Sequence, residues 1–155
     1  MIQLRDTVDI QAPPERVWAW LNELPHHYRD WHPAHIDCRY IRGDNLAVGA
    51  VLQVNEYLHE KPHSLMLHAD VVVPDRLLRY SGRGFRGAFI LEPVDEGTRF
   101  TAELEFGICL PLGGRLLDVV LRRVLAKRLS AFQTHMREEG ENLRRLLEAR
   151  LANET

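Results

Sequence analysis

Two cysteines in 155 residues, Cys38 and Cys109, are too few and too far apart for a disulfide framework or a thiolate metal site. They match no redox pair, so reduced thiols in a cytoplasmic protein are the expectation. Long apolar runs are missing as well: no stretch has the length needed to cross a bilayer. The opening residues, Met1-Ile2-Gln3-Leu4-Arg5-Asp6, do not resemble a signal peptide. Nor is there an excess of one charge. Twenty basic residues against 22 acidic ones leave a net charge of −2, which gives no electrostatic case for a nucleic-acid partner. The one basic cluster, Arg122, Arg123, Lys127 and Arg128, reads as a solvated helix face. Repeats, low-complexity tracts and linkers are also lacking, so a single domain over 1–155 is expected. With 45% hydrophobic and 27% charged residues, the composition is that of a folded chain with room for a core and an internal pocket.

What is present begins with Leu4, Val8 and Ile10 among polar neighbours over 3–11, a plausible first strand. Ala12-Pro13-Pro14-Glu15 opens a short helix through Leu21, with proline tolerated in its first turn. Residues 25–35, rich in aromatics and histidine, do not read as a regular element from their pattern. Strands are predicted at 36–42, 49–58, 64–73, 76–82, 86–92 and 98–106. Gly43-Asp44-Asn45, Glu60-Lys61-Pro62, Pro74-Asp75 and Asp95-Glu96-Gly97 separate them. Connections this short favour antiparallel neighbours. After the break at Pro111-Leu112-Gly113-Gly114, one long helix runs to the end, with Leu117, Leu121, Leu125, Phe132, Met136, Leu143 and Leu147 as its stripe. Gly140 interrupts that helix at about 1 kcal/mol relative to alanine, with no benefit visible in the pattern. An antiparallel sheet curled around the helix would leave a cavity between them, a natural site for a small hydrophobic or aromatic molecule.

Two carboxylates stand where apolar side chains belong. Glu139 falls inside the stripe that holds Phe132 and Leu143, and His135 lies one turn before it at the stripe's edge. Glu56 shares a strand face with Leu52, Val54 and Leu58. An ionised carboxylate facing a core costs several kcal/mol unless its charge is compensated. A metal ion between a strand glutamate, a helix glutamate and His135 would compensate both. The irregular passage supplies a fourth ligand, either His32 or His35; periodicity does not choose between them. Two imidazoles and two carboxylates suit Zn2+, with Fe2+ or Mn2+ as alternatives. His59 and His63 flank a turn and His68 points away from the Leu65-Leu67-Ala69 face, so all three are expected on the surface.

Ala12-Pro13-Pro14-Glu15-Arg16-Val17-Trp18, Trp31-His32-Pro33, the meander and the terminal helix together resemble the START-like (Bet v 1-like, polyketide cyclase/dehydrase) superfamily. The resemblance spans essentially the whole chain. It implies an α+β helix-grip fold: a curved antiparallel sheet wrapped around a long C-terminal helix, with two short helices after the first strand. Within that superfamily, the segment Tyr28–His35, Glu56 and His135-Met136-Arg137-Glu138-Glu139 are similar to the 2,4-diacetylphloroglucinol hydrolase group. That group implies zinc held by His35, Glu56, His135 and Glu139, with Tyr28 and Trp31 contacting substrate. Tyr28, or less favourably His32, would be the acid, and His32 a neighbour of the metal rather than a ligand. The expected activity is metal-dependent hydrolysis of a carbon–carbon bond in an acylated phenol or related β-dicarbonyl compound. The alternatives are a carrier of a small hydrophobic ligand and a polyketide cyclase or dehydratase.

Overall fold

The computed structural model describes residues 2–106 and 114–154. The expected break at Pro111-Leu112-Gly113 and the residue Cys109 lie outside them. So do the side chains of Leu117, Leu121, Leu125 and Arg122. The order is β1 (Ile2–Ile10), α1 (Pro14–Asn22), α2 (Leu24–Trp31), β2 (His35–Arg42), β3 (Val51–Leu58), β4 (Lys61–Val73), β5 (Leu77–Gly82), β6 (Phe85–Val94), β7 (Gly97–Phe106) and α3 (Gly114–Glu154). The strands form one antiparallel sheet in the order β1-β7-β6-β5-β4-β3-β2. The sheet curves around α3, with α1 and α2 bridging its two edge strands. This is the helix-grip architecture. Among the described residues, no helix is long and apolar enough to cross a membrane.

Two local readings of the sequence need correction. Residues 25–31 are helical, not irregular: Leu24, His27, Tyr28 and Trp31 follow the i, i+3, i+4, i+7 spacing, and all four are buried. Proline in the first turn and the polar tips of histidine and tyrosine disguise that stripe. The β3–β4 turn lies earlier than expected. His59 and Glu60 take φ values of 51° and 67°, and the strand resumes at Lys61 rather than at residue 64. A two-residue hairpin turn with both residues left-handed matches the strand twist. His59, His63 and His68 are exposed, as are Arg123, Lys127 and Arg128.

The core is built by α3 lying across β1. Met136, Leu143 and Leu147 are buried against Val8, Ile10, Leu21 and Phe100, while Arg137, Glu138, Glu141, Arg144 and Arg145 face water. Gly140 now has a reason. A Cβ at that position would stand 3.2 Å from Asp6 Oδ2 and 3.3 Å from Val8 Cγ1, so its absence lets the helix close on the strand. At the other side of α3, His27 stacks on Trp20 at 5.1 Å, and Arg150 donates to its Nδ1 at 3.3 Å. Burial, aided by the Arg150 charge, keeps that imidazole below its ordinary pKa.

Substitution of Gly140 measures the close approach. Gly140→Ala should stay within about 1 kcal/mol of the parent, because the helix-propensity gain opposes a tight contact. Gly140→Leu should lose roughly 2 kcal/mol or more by overpacking. Urea denaturation of the two variants checks the difference, and equal stabilities would remove the packing argument.

Candidate functional site

Between the sheet and α3 lies a cavity of about 280 Å³. Its walls are apolar, from residues such as Leu52, Val54, Leu67, Leu78, Phe89 and Met136. Tyr28, Glu56, His135 and Glu139 break that lining as one cluster, and Tyr80, Arg83 and Glu103 line it as well. Three elements deliver it. β3 alternates so that Glu56 follows Leu52 and Val54 on the inner face, all buried. α3 places His135 and Glu139 one turn apart. β2 begins at His35, whose cross-strand partner is Glu56, so the two side chains share a face.

The cluster converges on one carboxylate oxygen. Oε1 of Glu139 lies 2.8 Å from His35 Nε2 and 3.0 Å from His135 Nε2. Oε2 of Glu56 stands 3.7 Å from the same His35 nitrogen and accepts a hydrogen bond from the Tyr28 hydroxyl at 2.7 Å. The Tyr28 ring stacks on His35 at 3.9 Å with planes 4° apart. The Trp31 indole N–H donates to the backbone carbonyl of Glu139 at 2.9 Å, and Asn142 Nδ2 donates back to the Trp31 carbonyl. These bonds tie α2 to α3 at the turn that carries the carboxylate.

Hydrogen-bond bookkeeping decides what the cluster holds. His35 Nδ1 lies 2.9 Å from the Tyr28 carbonyl oxygen, which only accepts, so Nδ1 carries the proton. In the neutral ring Nε2 would then be a bare lone pair 2.8 Å from a carboxylate oxygen. A shared proton or a cation must lie between them. His32 differs. Its Nδ1 accepts from the Ala34 N–H at 2.9 Å, so Nε2 carries the hydrogen and donates to Glu138 at 2.6 Å. The ring nitrogens of His32, His35 and His135 come within 4.8 Å of one another. His32 turns its Nε2 to Glu138, whereas His35 turns its Nε2 to Glu139.

Charge follows from this geometry. Burial alone would raise the Glu139 carboxyl, but the hydrogen bonds and charges of His135 and His35 outweigh it and hold the group down at about 2. Burial works against a charged His135 too, yet the hydrogen bond and charge of Glu139, with Glu56 and Glu138 behind, raise its pKa. The Tyr28 phenol is driven far up by burial and by the Glu56 and Glu139 charges. It stays neutral and its proton is committed to Glu56. The six positions expected around the site, Tyr28, Trp31, His35, Glu56, His135 and Glu139, are thus brought together, with His32 adjacent. Two imidazole nitrogens and two carboxylates, with His35 fixed from behind by a carbonyl, are donors of the chemical type a divalent cation takes. Sequence reasoning missed Tyr80, whose hydroxyl also faces the cavity; it passed as one more aromatic in a strand.

Residues 1–148 match the family described as polyketide cyclase / dehydrase and lipid transport, and the chain belongs to that family. No curated protein matches the chain. Among solved structures it is similar to the Polyketide_cyc-like protein Cgl2372 of Corynebacterium glutamicum (24% identity, TM-score 0.62, covering 96% of this chain and 93% of that one). It is likewise similar to TTHA0849 of Thermus thermophilus (18%, TM-score 0.70, 96% and 98%). A third is the ZhuI aromatase/cyclase of Streptomyces sp. R1128 (16%, TM-score 0.62, 94% and 95%). At these identities the likeness concerns the fold.

The depressed Glu139 carboxyl has a thermodynamic signature. Its folded pKa of about 2 lies below the ordinary value of 4.5. The stability it contributes, roughly 3 kcal/mol, is therefore present above about pH 4.5 and lost as pH falls toward 2. In chelator-treated protein, Glu139→Gln should lower stability at neutral pH and flatten the acid limb of the stability curve over that window. Urea midpoints from pH 7 to 2 check this, and parallel curves for parent and variant would contradict it.

Proposed function

We propose that the chain is a cavity enzyme that performs proton-transfer chemistry on a small, carbonyl-bearing aromatic molecule of the polyketide kind. The observation that supports this is the convergence of Glu56 from β3 and Glu139 from α3 on two imidazoles inside a mainly apolar cavity. Clustered titratable groups with displaced pKa values in an apolar pocket favour reaction over storage. The family's description names cyclases and dehydrases beside lipid transport, so it accommodates this reading.

The residues divide the work by their proton affinities. Glu139, held near 2, is a poor proton acceptor and serves as the fixed negative charge that keeps His135 protonated. His135 is the general acid, within reach of a carbonyl oxygen or a departing hydroxyl in the cavity. Glu56, held by the Tyr28 hydroxyl, takes the proton from the carbon next to the carbonyl. In a dehydration one proton is removed from carbon, one is given to the hydroxyl, and water leaves; the cluster's total proton count is unchanged. Tyr28 orients Glu56 and does not give up its own proton.

A second reading is favoured by the His35 geometry, which requires positive charge beside Nε2. His35, Glu56, His135 and Glu139 would hold Zn2+, or Fe2+ or Mn2+. Such an ion supplies Lewis acidity toward an acyl oxygen and a bound water of lowered pKa. That chemistry corresponds to hydrolysis of the carbon–carbon bond of an acylated phenol or related β-dicarbonyl compound. In this reading Tyr28 still fixes Glu56, Trp31 still fixes the Glu139 turn, and the apolar walls exclude bulk water.

Elemental analysis of untagged protein separates the two readings, and a substrate panel tests both. Acylphloroglucinols and β-hydroxyketone polyketide fragments are followed by ultraviolet absorbance and product mass, with and without added zinc. Loss of water without metal supports the first reading; loss of an acyl group with near-stoichiometric metal supports the second. In either case His135→Ala and Glu139→Ala should reduce turnover at least about 100-fold, the usual scale for losing a general acid. Ligand binding without turnover in the parent protein would leave a carrier and remove both enzymatic readings.

A further inference from the structure

The cavity is lined by a phenol that the His–Glu cluster does not use. Tyr80 projects from β5 on the same inner face as Leu78, and its ring packs on Phe89 at 5.4 Å. Among the described residues its hydroxyl has no hydrogen-bond partner, although the cavity around it is lined mainly by hydrocarbon. The strand opposite is cut back to receive the ring. Gly87 is the cross-strand partner of Tyr80 on β6, and a Cβ there would overlap ring carbon Cζ and the hydroxyl oxygen. Only glycine at 87 lets the phenol lie flat on the sheet, held between Gly87 and Phe89. A cavity-facing hydroxyl with no internal partner is costly unless a ligand or water completes it.

We infer that Tyr80 is a specificity-determining residue: its hydroxyl, seated on Gly87, hydrogen-bonds an oxygen substituent of a flat aromatic ligand. This rests on the reading that the cavity binds a small aromatic molecule, and it adds the requirement for a phenolic or aryl-ketone oxygen on the side facing β5 and β6. Apolar aromatics of the same shape fit the walls but leave the hydroxyl unpaired, so the pocket discriminates against them. Burial, with the nearby Glu139 and Glu56 charges, holds the phenol neutral, so it keeps a proton to donate.

The test uses 2-naphthol and 2-methylnaphthalene, near-isosteres that differ in the oxygen, titrated by fluorescence against parent, Tyr80→Phe and Gly87→Ala. The parent should prefer 2-naphthol. Tyr80→Phe should weaken 2-naphthol binding by about 2- to 10-fold, the scale of one net hydrogen bond, and leave 2-methylnaphthalene unchanged. Gly87→Ala, which forces the ring off its seat, should produce a similar loss of preference. If both compounds bind and Tyr80→Phe leaves their affinity ratio unaltered, the role of Tyr80 is overturned while the cavity reading stands. If neither compound binds the parent protein, the cavity reading fails and the inference fails with it.

Discussion

A carbonyl oxygen cannot donate a hydrogen bond, and the site is organised around that fact. The Tyr28 carbonyl claims the Nδ1 proton of His35, which turns Nε2 toward Glu139 and obliges positive charge to sit between them. Glu56 and His135 gather around the same point, one from the sheet and one from the helix. Without that charge, two carboxylates would meet an imidazole lone pair in a medium of low dielectric.

The fold is shaped to keep that geometry. α3 lies on β1 as closely as Gly140 permits, one residue after Glu139. From the other side the Trp31 indole grips the Glu139 carbonyl, and Asn142 returns a bond to Trp31. The turn of helix that presents the carboxylate is therefore fixed from two directions. The glycine that weakens the helix locally is the one that brings the Glu139 turn into place.

Much of this was legible in the sequence. Period two placed Glu56 with Leu52 and Val54, and period 3.6 placed Glu139 in the helix stripe, so both carboxylates could be assigned to the interior before any partner was known. The strand order and the long helix were similarly open to periodicity. Other features depended on tertiary registration. Helix α2 was hidden because half of its buried stripe is histidine and tyrosine, which a hydrophobicity pattern scores as polar. The choice of His35 over His32 rests on its pairing with Glu56 across β2 and β3 and on the Ala34 N–H that occupies His32, neither of which leaves a local signal. Gly140 and Gly87 looked like isolated weaknesses, because the partners that require them, Asp6, Val8 and Tyr80, are distant in the chain or opposite in the sheet.

His35 and Glu139 are 104 residues apart, and the cluster draws on α2, β2, β3 and α3 together. An unfolded chain has no such clasp. Whatever occupies it binds only the native state, so occupancy and folding are linked by mass action. An occupant at a hundred times its dissociation constant would add about 2.7 kcal/mol to the stability of the whole molecule. An occupied centre would double as a lock between sheet and helix, and thermal endurance would then report on the occupant.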